Sequence, residues 1–312
     1  MAQYTHITRP EIETILRDFA IQNITSFEIL SGGSENTNYL IQTEKGKYVL
    51  SICEQKTVKR AKELAHLLEH LAKHHFETSK VVHTLNNEPI VFWKDKPLMV
   101  KKFIEGKIQK DLSPSLLKLV GTELAKLHKI DAPEYLPKQL DYGKEQFVKV
   151  EKYAANSLFD VWLKEKLAYV SPYFTMDLPK AFIHSDVFCD NIIISEEEST
   201  VVIMDFEEAA YYYRIFDIGM TIIGVCGEEK TINLDKAKCL LEGYQAELSL
   251  LEIELKALKA FTIYAGAAMT FWRHQNFNYT KPDPKLANHY LGLKVLTDYM
   301  AEQADDCFIE NN

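Results

Sequence analysis

Residues 181–210, AFIHSDVFCDNIIISEEESTVVIMDFEEAA, constrain the fold of this 312-residue chain more than any other stretch. The apolar run Ala181-Phe182-Ile183 delivers His184-Ser185-Asp186, and after a short polar loop Asn191 opens a second apolar run, Ile192-Ile193-Ile194. A third, Val201-Val202-Ile203-Met204, stops abruptly at Asp205-Phe206. Two short apolar segments around a Glu/Ser/Thr turn predict a hairpin, with Glu196-Glu197-Glu198 as its solvated turn. That placement puts Asp186 and Asn191 in one loop and Asp205 at the end of the strand that follows. Polar residues that merely cap a turn would explain a lone His-x-Asp; they do not explain the whole series of spacings.

The series His184-x-Asp186-x-x-x-x-Asn191, then Asp205-Phe206, resembles the catalytic loop and metal-binding aspartate of protein kinases. Phosphoryl transfer from ATP needs a carboxylate to orient the attacking hydroxyl and take its proton, together with oxygen ligands for Mg²⁺. The resemblance implies the first role for Asp186 and the second for Asn191 and Asp205. Ser185 stands where protein kinases place Arg, and Glu207 where they place Gly. Those departures point to small-molecule relatives of the protein kinases.

The length suits two lobes, each with its own core. With 46% hydrophobic and 26% charged residues the chain reads as an ordinary soluble globular protein, and its formal net charge of −9 argues against nucleic acid or an anionic membrane as partner. Cys53, Cys189, Cys226, Cys239 and Cys307 are scattered, odd in number and without C-x-x-C spacing, so reduced thiols are expected rather than a disulfide or zinc framework. No base stands beside Cys189 to make it a nucleophile. The N-terminus has no apolar signal core, and the most apolar segment, residues 260–272, is shorter than the ~20 residues a membrane helix needs. A cytoplasmic monomer or homodimer is expected.

In chain order, Thr8-Arg9-Pro10-Glu11 predicts a helix start, with Ile12, Ile15, Leu16 and Phe19 at helical spacing. Strands are expected at 27–30, 39–43 and 48–52, the first two joined by Ser31-Gly32-Gly33-Ser34-Glu35-Asn36-Thr37-Asn38. A glycine-bearing turn lets backbone N–H groups approach phosphate oxygens, so Ser34, Asn36 and Asn38 are candidates to line the nucleotide phosphates. Residues 56–75 carry one apolar stripe and predict an amphipathic helix. In the kinase plan that helix gives a Glu that pairs with a strand Lys. Glu63 is the candidate, with Glu69 possible, but the strand position holds Ser51. The phosphate-anchoring cation must come from elsewhere, Lys101 or Lys59, or be absent.

The strand 98–104 ending at Gly106 fits a connector between lobes whose backbone, at Val100, Lys101 and Lys102, would meet the adenine edge; a plain edge strand is the alternative. Helices are expected at 116–128, 147–167, 234–245, 251–275 and 286–304. His128 is expected to pack or cap. After residues 211–217 an apolar helix should open at Ile218-Gly219-Met220, with Asp217 capping it and accepting backbone N–H bonds from the catalytic loop.

The ordered pieces SGGSENTNYLI, YVL, KFIEG, GTELAKLH, IHSDVFCDN, IMDFEEA and FDIG are similar to the aminoglycoside phosphotransferase family over nearly the whole chain. Within it the homoserine kinases of this fold are most alike. They share a Tyr-Thr start (Tyr4-Thr5 here), an E-N-(S/T)-N-Y loop (Glu35 to Tyr39) and a D-x-F-x-D-N loop (Asp186 to Asn191). Their late R-F-W motif survives only as Thr270-Phe271-Trp272, and their third strand often reads V-L-T, which accommodates Ser51.

The resemblance implies an α+β, bilobal, protein-kinase-like fold. Residues 1–102 would form a small N-terminal lobe with an antiparallel sheet, and 103–312 a larger, mainly helical lobe, with ATP bound between them. It also implies Asp186 as base, Asn191 and Asp205 as Mg²⁺ ligands, His184 as a structural member of the loop, and a small hydroxyl-bearing substrate. Homoserine is favoured; an Arg would suit its carboxylate, and Arg273 or Arg214 could replace the one absent at Thr270. A cationic alcohol such as choline or ethanolamine, an amino sugar or an aminoglycoside is the alternative. A nucleotide-binding pseudokinase is the third reading, set against the presence of Asp186, Asn191 and Asp205 together.

Overall fold

The computed structural model describes residues 5–30 and 36–309. Two compact units emerge: the smaller takes the chain up to Glu105 together with Met204–Glu207, and the larger takes Gly106–Ile203 and everything from Glu208 onward. The first division thus falls after Glu105 rather than the expected 102. The reason is local, since the Phe103 amide still donates to the Lys47 carbonyl (3.1 Å) and Lys47 Nζ meets Glu105 (3.0 Å).

The smaller unit runs α1 (Arg9–Arg17), β1 (Ile24–Ile29), β2 (Asn36–Thr43), β3 (Gly46–Cys53), α2 (Val58–Lys73), β4 (Val81–Val82), β5 (Val91–Trp93) and β6 (Lys96–Lys102). The sheet is antiparallel in the order β1-β2-β3-β6-β4, with β5 also paired to β6. Period-two alternation decides its faces. Tyr39, Ile41, Leu50, Ile52, Leu98 and Val100 join Ile12, Ile15 and Leu16 of α1 in one core. The other face of β2 and β3 carries Asn36, Asn38, Ser51 and Cys53, with Asn36 opposite Cys53 and Asn38 opposite Ser51. Thr8 starts α1 as expected, its amide donating to Glu11 Oε2 (2.8 Å). β4 and β5 were not anticipated, because two or three residues leave no periodic signal.

The larger unit comprises α3 (Pro114–His128), α4 (Leu158–Val170), β7 (Lys180–Ile183), β8 (Ile192–Ile194), β9 (Val201–Ile203), β10 (Ala210–Tyr213), α5 (Arg214–Val225), α6 (Leu234–Glu247), α7 (Glu252–Gln275) and α8 (Tyr290–Glu302). α7 is apolar nearly all round, and α4, α5 and α8 bury it. Among the described residues no helix is long and apolar enough to cross a membrane, and the five cysteines form no disulfide. The hairpin forms as the sequence implies: β8 pairs with β9 through Ile192–Ile203, Ile193–Val202 and Ile194–Val201. The mixed helical stretch expected over 147–167 consists of a 3-10 helix, Lys144–Lys152, and α4.

α3 and α6 approach closely because each offers a glycine. A Cβ on Gly121 would lie 2.0 Å from the Leu240 carbonyl oxygen, and one on Gly243 would lie 2.0 Å from that of Lys118. Since backbone atoms block both sites, Gly121→Ala is expected to destabilise the chain by about 1–3 kcal/mol or more. A shifted urea midpoint at unchanged slope would register it; no shift would mean that the helices separate without cost.

Candidate active site

In the larger unit, the segment from His184 to Asn191 joins β7 to β8, and its shape is fixed from beneath by Asp217. The His184 amide donates to Asp217 Oδ2 (2.8 Å) and the Ser185 amide to Oδ1 (2.6 Å). His128 Nε2 lies 3.0 Å from the same carboxylate, and His128 Nδ1 lies 2.8 Å from the Tyr244 hydroxyl. A carboxylate only accepts, so the imidazole donates to it from Nε2. All of this is buried: His184, Ser185 and Asp217 have no exposure, and His128 has 7%.

Asp217 therefore accepts the loop amides as expected, but it does not cap the helix. β10, absent from the sequence reading, ends at Tyr213, and α5 begins at Arg214 with Asp217 inside its first turn. His128 packs and hydrogen-bonds, as its position closing α3 implied.

Ser185 adopts φ 71°, a left-handed backbone uncommon for a residue with a side chain. It persists because its surroundings over-determine it. The Tyr142 hydroxyl donates to the Ser185 carbonyl (2.5 Å), and Ser185 Oγ donates to the Glu208 carbonyl (2.7 Å). Tyr142 sits in a stretch with no periodicity, so nothing in the sequence marked it. Next along, the Asp186 amide meets His184 Nδ1 (3.2 Å). Asn191 Nδ2 donates to the Asp186 carbonyl (2.8 Å) and lies 3.3 Å from Asp186 Oδ2, an arrangement that orients Oδ1 of the amide away. From below, α5 presses so closely that a Cβ on Gly224 would stand 2.2 Å from the Val187 carbonyl oxygen.

Two arginines stood as candidates for a substrate carboxylate. Arg214 is occupied by structure: its Nε donates to Glu254 Oε1 (2.6 Å), and its Nη2 reaches Glu254 Oε2 and the Ser249 carbonyl. Arg273, late on α7, is different. Its guanidinium lies 5.4 Å from the centre of the Phe188 ring, and Nη1 lies 3.4 Å from His289 Nε2. Burial pulls its pKa below the ordinary range, while the negative charges of Asp186 and Asp190 oppose that shift. Among the described residues no carboxylate pairs with it at ion-pair distance. It is a half-buried cation packed against Phe188 of the loop.

In the smaller unit, Asp205 also takes a left-handed backbone, φ 71°. Phe206 anchors it by packing edge-on to Phe76, ring centres 5.9 Å apart. Glu207 accepts from Asn36 Nδ2 and pairs with Lys56 Nζ at 2.8 Å. Ser51 donates its hydroxyl to Asn38 Oδ1 (2.7 Å). Ser34 lies outside the described residues.

Glu63 pairs loosely with the exposed Lys59 (3.7 Å) and Glu69 with His83 (2.6 Å), since position 51 offers neither of them a cation. Val100, Lys101 and Lys102 lie within β6, which pairs with β3 on one side and β4 on the other. The Lys102 amide donates to the Lys80 carbonyl (2.8 Å). Their backbone thus serves the sheet, which corrects its assignment to an adenine edge; the residues past the ladder are Ile104 and Glu105. Lys56 and Glu207 are what sequence reasoning passed over. Glu207 was visible as a departure from Gly, but its partner, 151 residues away, has no sequence signal.

One unit with a six-stranded antiparallel sheet and one mainly helical unit carrying an aspartate loop before a short hairpin make a protein-kinase-like fold, and the relatives described next make the chain an ATP-dependent small-molecule phosphotransferase. The chain belongs to the phosphotransferase enzyme family, whose model matches residues 26–249. It is 29% identical over 285 residues to the homoserine kinase of Caulobacter vibrioides, covering 87% of this chain and 88% of that one. It is 26% identical over 299 residues to the homoserine kinase of Paramagnetospirillum magneticum, covering 91% and 90%. Among solved structures it is similar to an amicoumacin kinase bound to AMP-PNP and Ca²⁺ (TM-score 0.71, 17% identity, 96% and 97% covered). An ethanolamine kinase of Plasmodium vivax is similarly alike (TM-score 0.71, 15% identity, 96% and 92% covered). At those identities the structural likeness speaks for the fold alone.

Proposed function

We propose that the chain is a homoserine kinase, transferring the γ-phosphoryl group of ATP to the side-chain hydroxyl of homoserine. The observation that carries this reading is Arg273: a half-buried guanidinium over the Phe188 ring of the loop, with no carboxylate partner of its own among the described residues. A half-buried cation beside the loop suits an anionic substrate group, and the planar fork of Arg fits a carboxylate. Homoserine carries both that carboxylate and a hydroxyl for Asp186. The homoserine kinases similar to this chain over most of its length support the same choice.

Asp186 orients the hydroxyl and accepts its proton as the O–P bond forms. His184 and Asp217 hold the loop rather than touch substrate. Asn36 and Asn38 are assigned to the phosphates. Asn191 Oδ1 and the Asp205 carboxylate are assigned to Mg²⁺ as hard oxygen donors, each of a kind that ion takes, and the tether of Asn191 Nδ2 to the Asp186 carbonyl (2.8 Å) fixes which end of that amide would serve. When bound, that ion supplies charge neutralisation at the phosphates.

Arg273→Met tests the substrate assignment. KM for homoserine should rise about 10- to 100-fold, as expected for a lost charge-assisted interaction. The preference for homoserine over its carboxamide should collapse at the same time. An unchanged preference would remove the carboxylate from Arg273, and turnover restricted to cationic alcohols would favour the choline and ethanolamine class instead.

A further inference from the structure

The strand position that carries the phosphate-anchoring Lys in the kinase plan holds Ser51, whose hydroxyl is engaged with Asn38. Of the lysines named for that role from sequence, Lys59 has an 85% exposed side chain. Lys101, opposite Val49, shares the face of Ser51 and Cys53 and is the rival that the test below includes. Lys56, three residues beyond the end of β3, is the contrast. Its ammonium is 2.8 Å from Glu207 Oε2, with side chains only 13% and 12% exposed.

Three observations locate this pair over the polar face of β2 and β3. The second oxygen of Glu207 accepts from Asn36, which opposes Cys53 and lies one cross-strand pair from Asn38–Ser51 on the same face. The Cys53 thiol on that face is pushed up to about 11, first by burial and then by the charge of Glu207, with Lys56 opposing. Finally, Asn36 Oδ1 is buried with no partner, an acceptor that a donor or cation on an incoming ligand would satisfy. Glu207 itself follows Asp205-Phe206 directly in the chain.

We infer that Lys56 is the cation that anchors the nucleotide phosphates in place of the missing strand lysine, with Glu207 as its positioning residue. The Lys–Glu pair that protein kinases build between a strand and a helix is here built between the end of β3 and the segment carrying Asp205. Glu63 is thereby relieved of that role, which agrees with its loose pairing to Lys59. The inference rests on ATP-dependent kinase activity and is independent of the choice of homoserine.

The test is a double-mutant cycle on nucleotide binding, read by calorimetry with adenosine, Mg·ADP and the non-hydrolysable analogue Mg·AMP-PNP, with unfolding midpoints alongside. Lys56→Met should weaken AMP-PNP about 10- to 100-fold and leave adenosine nearly unchanged. Lys56→Arg should recover part of the loss. A purely structural ion pair behaves otherwise, because removing both charges together is nearly neutral. The double variant Lys56→Met/Glu207→Gln should therefore regain stability but remain deficient for AMP-PNP, and it carries the test if Lys56→Met alone does not fold.

A double variant that binds AMP-PNP like the unaltered chain would overturn the proposal. So would loss on Lys101→Ala or Lys59→Ala with Lys56→Met unaffected. If the unaltered chain binds adenosine and AMP-PNP equally weakly, the kinase activity and the proposal fall together; a failure confined to Lys56 variants overturns the proposal alone.

Discussion

Asp186→Asn should lower kcat by about 10²- to 10⁴-fold, the range for loss of a positioned general base, with nucleotide affinity and unfolding midpoint close to those of the unaltered chain. The separation follows from how the loop is held. Its conformation depends on Asp217 receiving the His184 and Ser185 amides and on Tyr142 gripping the Ser185 carbonyl. The Asp186 carboxylate lies a long 3.3 Å from Asn191 Nδ2, whereas the Asp186 carbonyl holds Asn191 at 2.8 Å. Asn at 186 keeps shape and size and loses the ability to take a proton. Steady-state rates with a melting curve decide the matter. A kcat within tenfold of the parent would move the proton acceptor elsewhere, and a large loss of stability would make Asp186 structural.

The largest effect on stability is expected at Asp217. Replacing it with Ala leaves the His184 and Ser185 amides and the His128 Nε2–H facing an apolar void in a fully buried setting. Breaking a buried charged network by removing one partner costs about 3–5 kcal/mol. In addition kcat should fall, because Tyr142 and Glu208 alone then hold Ser185 in its left-handed conformation and Asp186 loses its aim. His128→Ala should cost less, since Asp217 keeps both amides. Urea unfolding with parallel rate measurements checks the order: Asp217→Ala well below His128→Ala in both. Equal stability for the two would mean that the amides find water or another acceptor.

Much of this was legible because it is local. The hairpin, its loop and α2 are written in apolar periodicity, and the spacing of Asp186, Asn191 and Asp205 is what proposes their roles. What escaped depends on contacts distant in sequence. β4, β5 and β10 are two to four residues long and exist through pairing with β6 or β7. Because β10 takes residues up to Tyr213, α5 begins early, and Asp217 falls inside it rather than at its cap. The spread of Val100–Lys102 across a doubly paired strand could not be seen without β4. Lys56 and Glu207 are ordinary charged residues until the fold joins them. Arg214 and Arg273 looked equivalent in sequence; only Glu254, buried opposite Arg214, separates them.

The most direct test of the account is to identify the product. The chain is incubated with Mg·ATP and homoserine, choline, ethanolamine, an amino sugar and an aminoglycoside separately, and ³¹P NMR follows any new phosphate ester, with Asp186→Asn as the blank. The account predicts an ester on the side-chain hydroxyl of homoserine that is absent with the variant. An ester on one of the other alcohols, with none on homoserine, would contradict it.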